Sequence, residues 1–354
     1  MGAVVAANRL IRSGNYVAAR AELEGADLLA DDQAAMFTIM LLDKMDEQQA
    51  KQQVVEQLVE ALEPKSHRSD TLLAFLLRQA ERACLPVAHI DKVLAATRGH
   101  ERTQGELGLV FHAVRQRQKF REQEAPRAAG IRFISLGLNC IPWTILNRWG
   151  MRDRRQFITE FNPFSLATHE IPAVIAALDN DFATYTLPEL IDVDSSHHGQ
   201  PIARHKDGSV EWNHNQGLYW TSGNFEPLFA KLAMKIDNFR RTCTGDSVVF
   251  IISRLGGGAH KVDFLPDLQR ALARHTGHEN NRILLTGRKA KRRNRGVEHV
   301  DEFVSVFANP VPSDDYVWFD MNAADSPEGL EYERSYMRYL FECLQNWGLL
   351  RETE

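Results

Sequence analysis

The run Ile131-Arg132-Phe133-Ile134-Ser135-Leu136-Gly137-Leu138-Asn139-Cys140, with Pro142 two residues on, limits the fold more than any other part of this chain. Its first half is a nearly continuous apolar stretch, which suits a strand buried on both faces. The segment Pro142-Trp143-Thr144-Ile145-Leu146-Asn147-Arg148-Trp149 then reads as a helix with proline in its first turn. A buried strand running straight into a helix opens an α/β unit. The turn between them places a thiol, Cys140, at the positive end of a helix dipole, where a cysteine pKa can fall and a nucleophile can stand at the rim of a sheet.

The pattern upstream is different. Residues 1–124 read as an all-α domain. Apolar residues recur at helical spacing in Met36, Ile39, Met40 and Met45, in Val54, Val55, Leu58, Val59 and Leu62, and in Leu72, Leu73, Phe75, Leu76 and Leu77. Pro64 closes one helix and Ser69-Asp70 caps the next. Gly14-Asn15-Tyr16 followed by Ala18-Ala19 resembles the turn of a tetratricopeptide-type hairpin, although no second copy recurs at a fixed period. Residues 125–130 read as a linker, and 131–354 as the α/β domain carrying Cys140. Within it, strands are expected at Ile131–Leu136, Ser247–Ser253, Arg282–Thr286 and Glu302–Phe307. Helices are expected at Ile141–Trp149, Ile171–Leu178, Pro227–Arg241, Phe264–His275 and Gly329–Trp347. That alternation predicts a three-layer parallel sheet, whose ligands bind beyond the carboxyl ends of the strands. Cys140, Arg254 with Gly256-Gly257-Gly258, and Gly287-Arg288 should then share one rim.

Composition narrows the function. The 354 residues carry a formal charge of -5, which gives no basic field and does not favour nucleic acid as a partner. Four cysteines, Cys84, Cys140, Cys243 and Cys343, lack metal-ligand spacing, so no structural zinc is expected. No secretory signal or membrane span is evident, which points to the cytoplasm. No motif calls for a cofactor or a metal.

Several polar groups could serve Cys140. A cysteine nucleophile needs a base and donors for an oxyanion. His214, in Glu211-Trp212-Asn213-His214-Asn215-Gln216-Gly217, is the candidate base, with Asn215 or Asn213 as orienter or oxyanion donor. Gly137 and Asn139 belong to the turn itself. Arg254 ends a strand and could pair with a substrate carboxylate or phosphate, with His260 in the glycine loop beyond it. His169 reads as a first-turn helix residue capped by Thr168. His197, His198 and His205 beside Asp192 and Asp194 read as a solvated loop, and so does the basic run Arg288 to Arg295.

Ser135-Leu136-Gly137-Leu138-Asn139-Cys140 resembles the Ser-Leu-Gly-x-x-Cys signature of a bacterial family of unknown function described as papain-like cysteine peptidases. Further elements follow in the family's order: Pro163-Phe164-Ser165-Leu166, Asp181-Phe182, His214-Asn215, a helix with Lys235 and Arg240, and Phe250-Ile251-Ile252-Ser253-Arg254. The match covers about residues 131–290. Ser165 and Leu166 stand where the family has Asp-Trp, and Asn215 stands where it has Asp. The strand, turn and helix around Cys140 also resemble the flavodoxin-like SGNH hydrolases and the Gly-Asn-Cys proteins of capsule biosynthesis, which resemble acyl transferases. That resemblance implies Cys140 in the nucleophile position and backbone N–H groups near Gly137 and Cys140 in the oxyanion site.

The expected function is therefore a cysteine-dependent hydrolase or acyl transferase acting on an ester, thioester or amide of a small molecule or glycan, in surface-polysaccharide metabolism. One alternative is a non-catalytic sugar- or nucleotide-binding protein whose helical domain docks a protein partner. Another is a glycosyltransferase-like enzyme using Arg254 and the basic run.

Overall fold

A computed structural model describes residues 2–64, 66–97, 105–196, 199–254, 262–289, 296–313, 316–317 and 320–352. Seven helices come first: α1 Gly2–Arg12, α2 Tyr16–Leu23, α3 Asp32–Lys44, α4 Gln48–Glu60, α5 Asp70–Arg82, α6 Val87–Ala96 and α7 Glu106–Gln123. Ser69 caps α5 as expected, its hydroxyl accepting from the Leu72 amide, and Asp31 caps α3 in the same way.

The remainder is mixed α/β. The elements are β1 Arg132–Ser135, α8 Ile141–Arg148, α9 Arg154–Thr159, β2 Thr168–His169, α10 Ile171–Asp179, β3 Ile191–Ser195, β4 Pro201–His205, β5 Val210–Gln216, α11 Leu218–Thr221, α12 Glu226–Thr242, β6 Val248–Arg254, α13 Leu265–Thr276, β7 Arg282–Lys289, β8 Val297–His299, β9 Val304–Pro310, α14 Met321–Asp325 and α15 Pro327–Asn346. The main sheet has the order β1-β6-β7-β9-β8, parallel except for β8. Alternate residues of β6 feed opposite layers. Val248, Phe250 and Ile252 join α10, α12 and α13, while Val249 and Ile251 join α8 and α15. This is the expected three-layer arrangement. Its strand order differs from the flavodoxin-like 2-1-3-4-5 pattern, because β1 lies at the edge with no reversal of order beside it.

Two corrections concern the segment between β1 and β6. Strands β3, β4 and β5 form with β2 a second sheet, antiparallel in the order β2-β5-β4-β3, so Asp192, Asp194 and His205 lie in strands and not in the polar loop expected for them. His169 lies in β2, paired with Val210, and not in a helix. Helix α10 is preceded by Glu170 without a side-chain cap, and Thr168 instead accepts a hydrogen bond from Asn213.

The helical region packs directly on this scaffold. Ala7, Ile11, Tyr16, Leu41 and Met45 share one hydrophobic cluster with Ile134, Trp212, Phe250 and Leu285. A buried charge network adds a second connection. Arg117 of α7 pairs with Glu81 of α5 at 2.8 Å, with Asp325 of α14 at 2.9 Å and with Glu333 of α15 at 3.3 Å. Glu333 also accepts from the Trp149 indole and pairs with Arg148. Among the described residues no helix is long and apolar enough to cross a membrane.

Candidate active site

Cys140 closes the β1–α8 turn as the N-cap residue of α8. Two positive φ angles, +84° at Gly137 and +61° at Leu138, bend the chain from strand to helix. The side of Gly137 where a Cβ would project is filled by the buried His169 ring, whose Nδ1 would lie 3.1 Å from that carbon. Gly137 therefore faces inward. Asn139 is a brace: its amide N–H donates to the Ser253 carbonyl at the end of β6 (2.6 Å), and its oxygen accepts from the Ile141 amide (2.9 Å). Its two polar ends are thus taken up in holding the turn, and the Ile141 N–H is removed from any oxyanion site.

His214 reaches Cys140. Its Nε2 lies 3.3 Å from Sγ. A distortion in β5 makes that possible. Ile202 pairs with Gln216 and Arg204 with Glu211, so five steps along β5 oppose two along β4. The extra residues form a bulge that includes His214 and turns its ring toward β1, a common use of bulges beside functional sites. The Gln216 amide donates to the Asn213 carbonyl (2.7 Å) and closes the bulge.

The helical region then supports β5 from behind. The Tyr16 hydroxyl donates to the Gln216 carbonyl at 2.5 Å, and the Trp220 indole donates to the Lys44 carbonyl at 2.9 Å. The Gly-x-Tyr signal in the α1–α2 turn is therefore a docking element for the strand that carries the histidine.

Both partners are neutral at rest. Burial pushes the Cys140 thiol up to about 11, which outweighs a hydrogen bond from its own backbone amide and the charge of nearby Arg82. The lowered thiol pKa expected from the strand-to-helix turn is thus reversed. Desolvation likewise pushes His214 down to about 4, with Asp43 acting weakly the other way. His214 lines the cleft with part of its surface open to solvent. With Nε2 accepting from the thiol, the ring proton resides on Nδ1.

The cleft beside this pair encloses about 720 Å³ including its open mouth. The α/β side supplies Trp143, Thr144, Leu166, His214, Asn215 and Lys235. The helical region supplies Asp43, Lys44, Asp46, Gln48, Lys51 and Arg82. Lys51 pairs with Asp43 at 2.5 Å and Lys235 with Asp46 at 2.6 Å. Asp43 is held below the usual carboxylate range, because Lys51 and Arg82 outweigh its burial.

Other expected site residues are placed differently. Asn215 is buried and lines the cleft, but makes no hydrogen bond to His214 among the described residues. Asn213 is engaged with Thr168 at 3.1 Å. Arg254 stacks over Phe264, 5.8 Å from the ring centroid, and is not part of the cleft lining. Ser165, where the resembled family has an acid, is fully buried in a turn with Asn162. His205 packs against Trp212 and Tyr185. Asp194 pairs with Arg204. His260, the glycines 256–258, His197, His198 and residues 290–295 lie outside the described residues. One group of potential metal ligands converges among the described residues, Glu56, Glu60 and His89, and there Glu56 is already paired with Arg154.

A scan against protein-family models, a search of curated proteins and a search of solved structures each return no match to this chain.

Proposed function

We propose that Cys140 and His214 form the catalytic pair of a hydrolase or acyl transferase acting on an ester, thioester or amide. The observation that carries this reading is the 3.3 Å approach of His214 Nε2 to Cys140 Sγ, at the end of a parallel strand and beside a cleft that His214 lines. A neutral pair acts by general-base catalysis. As the Sγ–C bond to the substrate carbonyl forms, the thiol proton passes to His214 Nε2 and the carbonyl electrons move onto oxygen. Collapse of that intermediate breaks the bond to the leaving group, which takes the proton from His214. Water, or an acceptor hydroxyl or amine, then attacks the thioester while His214 takes its proton; collapse breaks the C–Sγ bond, releases the acyl product and returns the proton from His214 to Cys140 Sγ. In this reading the Cys140 backbone N–H and the first turn of α8 would supply donors for the developing oxyanion, and Arg82 adds positive potential. The strand–turn–helix setting of Cys140 supports the SGNH-like comparison, and a glycan acyl ester is the substrate type that comparison suggests.

The test is acyl-enzyme capture with p-nitrophenyl esters followed by intact-mass measurement. A single acyl adduct is expected on Cys140 in the wild type, absent in Cys140→Ala and slowed at least tenfold in His214→Gln. An adduct that persists in Cys140→Ala, or no adduct in the wild type, sinks the proposal.

One observation favours a second reading, a binding protein without turnover. The upward shift of the thiol and the downward shift of the imidazole both oppose an activated thiolate.

A further inference from the structure

The cleft lining carries more positive than negative charge. Lys44, Lys51, Arg82 and Lys235 face the carboxylates of Asp43 and Asp46. Two of these cations are committed, since Lys51 and Lys235 hold the two aspartates at close range and are themselves buried. Arg82 is different. It ends α5 in the cleft wall, and its one ion pair among the described residues is a long one, 3.8 Å to Asp43. No hydrogen bond to its guanidinium is found among the described residues, although such a fork carries five donors. Lys44 likewise forms no side-chain ion pair among the described residues while lining the same cleft. A half-buried arginine with donors unused, aimed into a cleft that His214 also lines, is a receptor for a planar or tetrahedral anion.

We infer that the cleft binds an anionic group, carboxylate or phosphate, on Arg82 with Lys44 assisting, so that the acyl substrate handled by Cys140 and His214 carries a negative charge a few bonds from its carbonyl. The second half of this statement rests on the catalytic reading above; the first half stands on the cleft itself. The anion would add charge to a site whose two carboxylates are already neutralised by Lys51 and Lys235, so it meets net attraction. It would also favour the imidazolium that forms on His214 during attack, which burial disfavours. Arg254, the residue the sequence suggested for this task, is stacked on Phe264 instead.

The experiment has two arms. In the first, succinate and inorganic phosphate are titrated by calorimetry into the full-length Cys140→Ala protein at low ionic strength. Binding of at least one anion is expected, weakening with added salt, at least tenfold weaker with Arg82→Gln and intermediate with Arg82→Lys, in variants whose melting temperature and circular dichroism match the parent. Which anion binds better distinguishes the carboxylate from the phosphate source. Absence of binding by both anions, or equal binding after Arg82→Gln, overturns the inference. In the second arm, 4-nitrophenyl hemisuccinate is compared with 4-nitrophenyl acetate as substrate. A kcat/KM preference of tenfold or more for the charged ester is expected, with the ratio collapsing in Arg82→Gln. Equal rates overturn the substrate assignment. Anion binding in the first arm with no Cys140-dependent turnover of either ester would retain the receptor and remove the catalytic reading.

Discussion

A Cβ on Gly14 would sit 2.6 Å from the Cα of Gly217, and a Cβ on Gly217 would sit 2.7 Å from the Cα of Gly14. The two backbones touch where the α1–α2 turn meets the end of the His214 strand, and no side chain fits between them. Gly14→Ala should therefore cost about 2–4 kcal/mol through overpacking and left-handed strain. It should also pull β5 away from β1 and lower Cys140-dependent acylation at least tenfold. Gly25→Ala is the control, because Gly25 has a similar positive φ, +77°, with nothing within 4 Å. Chemical denaturation and acylation rates on both variants check this, and equal effects at the two positions would remove the docking argument.

Alkylation should single out Cys140 yet proceed slowly. Cys84, Cys243 and Cys343 are buried, whereas Cys140 is partly open. A thiol pushed to about 11 exposes on the order of 100-fold less thiolate at neutral pH than a free cysteine. Iodoacetamide followed by peptide mapping should show modification at Cys140 first, with a rate still climbing above pH 9. A plateau below pH 8 would mean that the thiol is activated at rest.

The pH profile of turnover follows from His214. Its pKa is pushed down to about 4, so the neutral base is present throughout the range above that value. The acid limb of kcat/KM should fall below the ordinary histidine value of about 6.5, with no second break between pH 6 and 8. A bell centred near pH 6 would instead indicate a thiolate–imidazolium pair.

How much of this was legible beforehand follows from how each element buries its residues. Strands β1, β6, β7 and β9 stand out because a parallel strand covered on both faces is a continuous apolar run, as in Val248-Val249-Phe250-Ile251-Ile252. The β3–β5 sheet was invisible for the opposite reason. Its strands are rich in Asp, His, Asn and Gln, and the bulge through His214 breaks the two-residue alternation that would mark a strand. Cys140 was readable from its turn and His214 from the polar and aromatic residues around it. Asp43, Lys51 and Arg82 were not, since a charged residue on an amphipathic helix looks the same whether it faces solvent or a cleft. The one local sign was Gly14-Asn15-Tyr16, whose close backbone packing serves the site strand.

Buried His169 should make the fold acid-sensitive. Desolvation holds its pKa near 3, against about 6.5 in the unfolded chain, so between those values the unfolded state binds more protons and stability rises with pH. The effect amounts to up to about 5 kcal/mol from a ring that is only 3% exposed. Unfolding free energies between pH 4 and 7 should show a shallower slope in His169→Leu than in the wild type; an unchanged slope would mean that another group sets the acid transition.

The Arg117 network should be costly to open. Arg117→Met leaves the Glu81, Asp325 and Glu333 carboxylates short of a counter-charge in the interior, a loss on the order of 3–5 kcal/mol. Urea denaturation measures it, and a change below 1 kcal/mol would indicate that Arg121, Arg148 and Arg78 take over the pairing.

The cleft is written in two separate stretches of chain. One sets the distance between thiol and imidazole, through the β1–α8 turn and the β5 bulge. The other, α3 to α5 joined by Lys235 of α12, sets the charge that an incoming molecule meets. Changes at positions 43, 44 and 82 would therefore retune what is admitted while leaving the thiol–imidazole distance to the other stretch, and those at 43 and 82 would also shift the charge felt by His214 and Cys140.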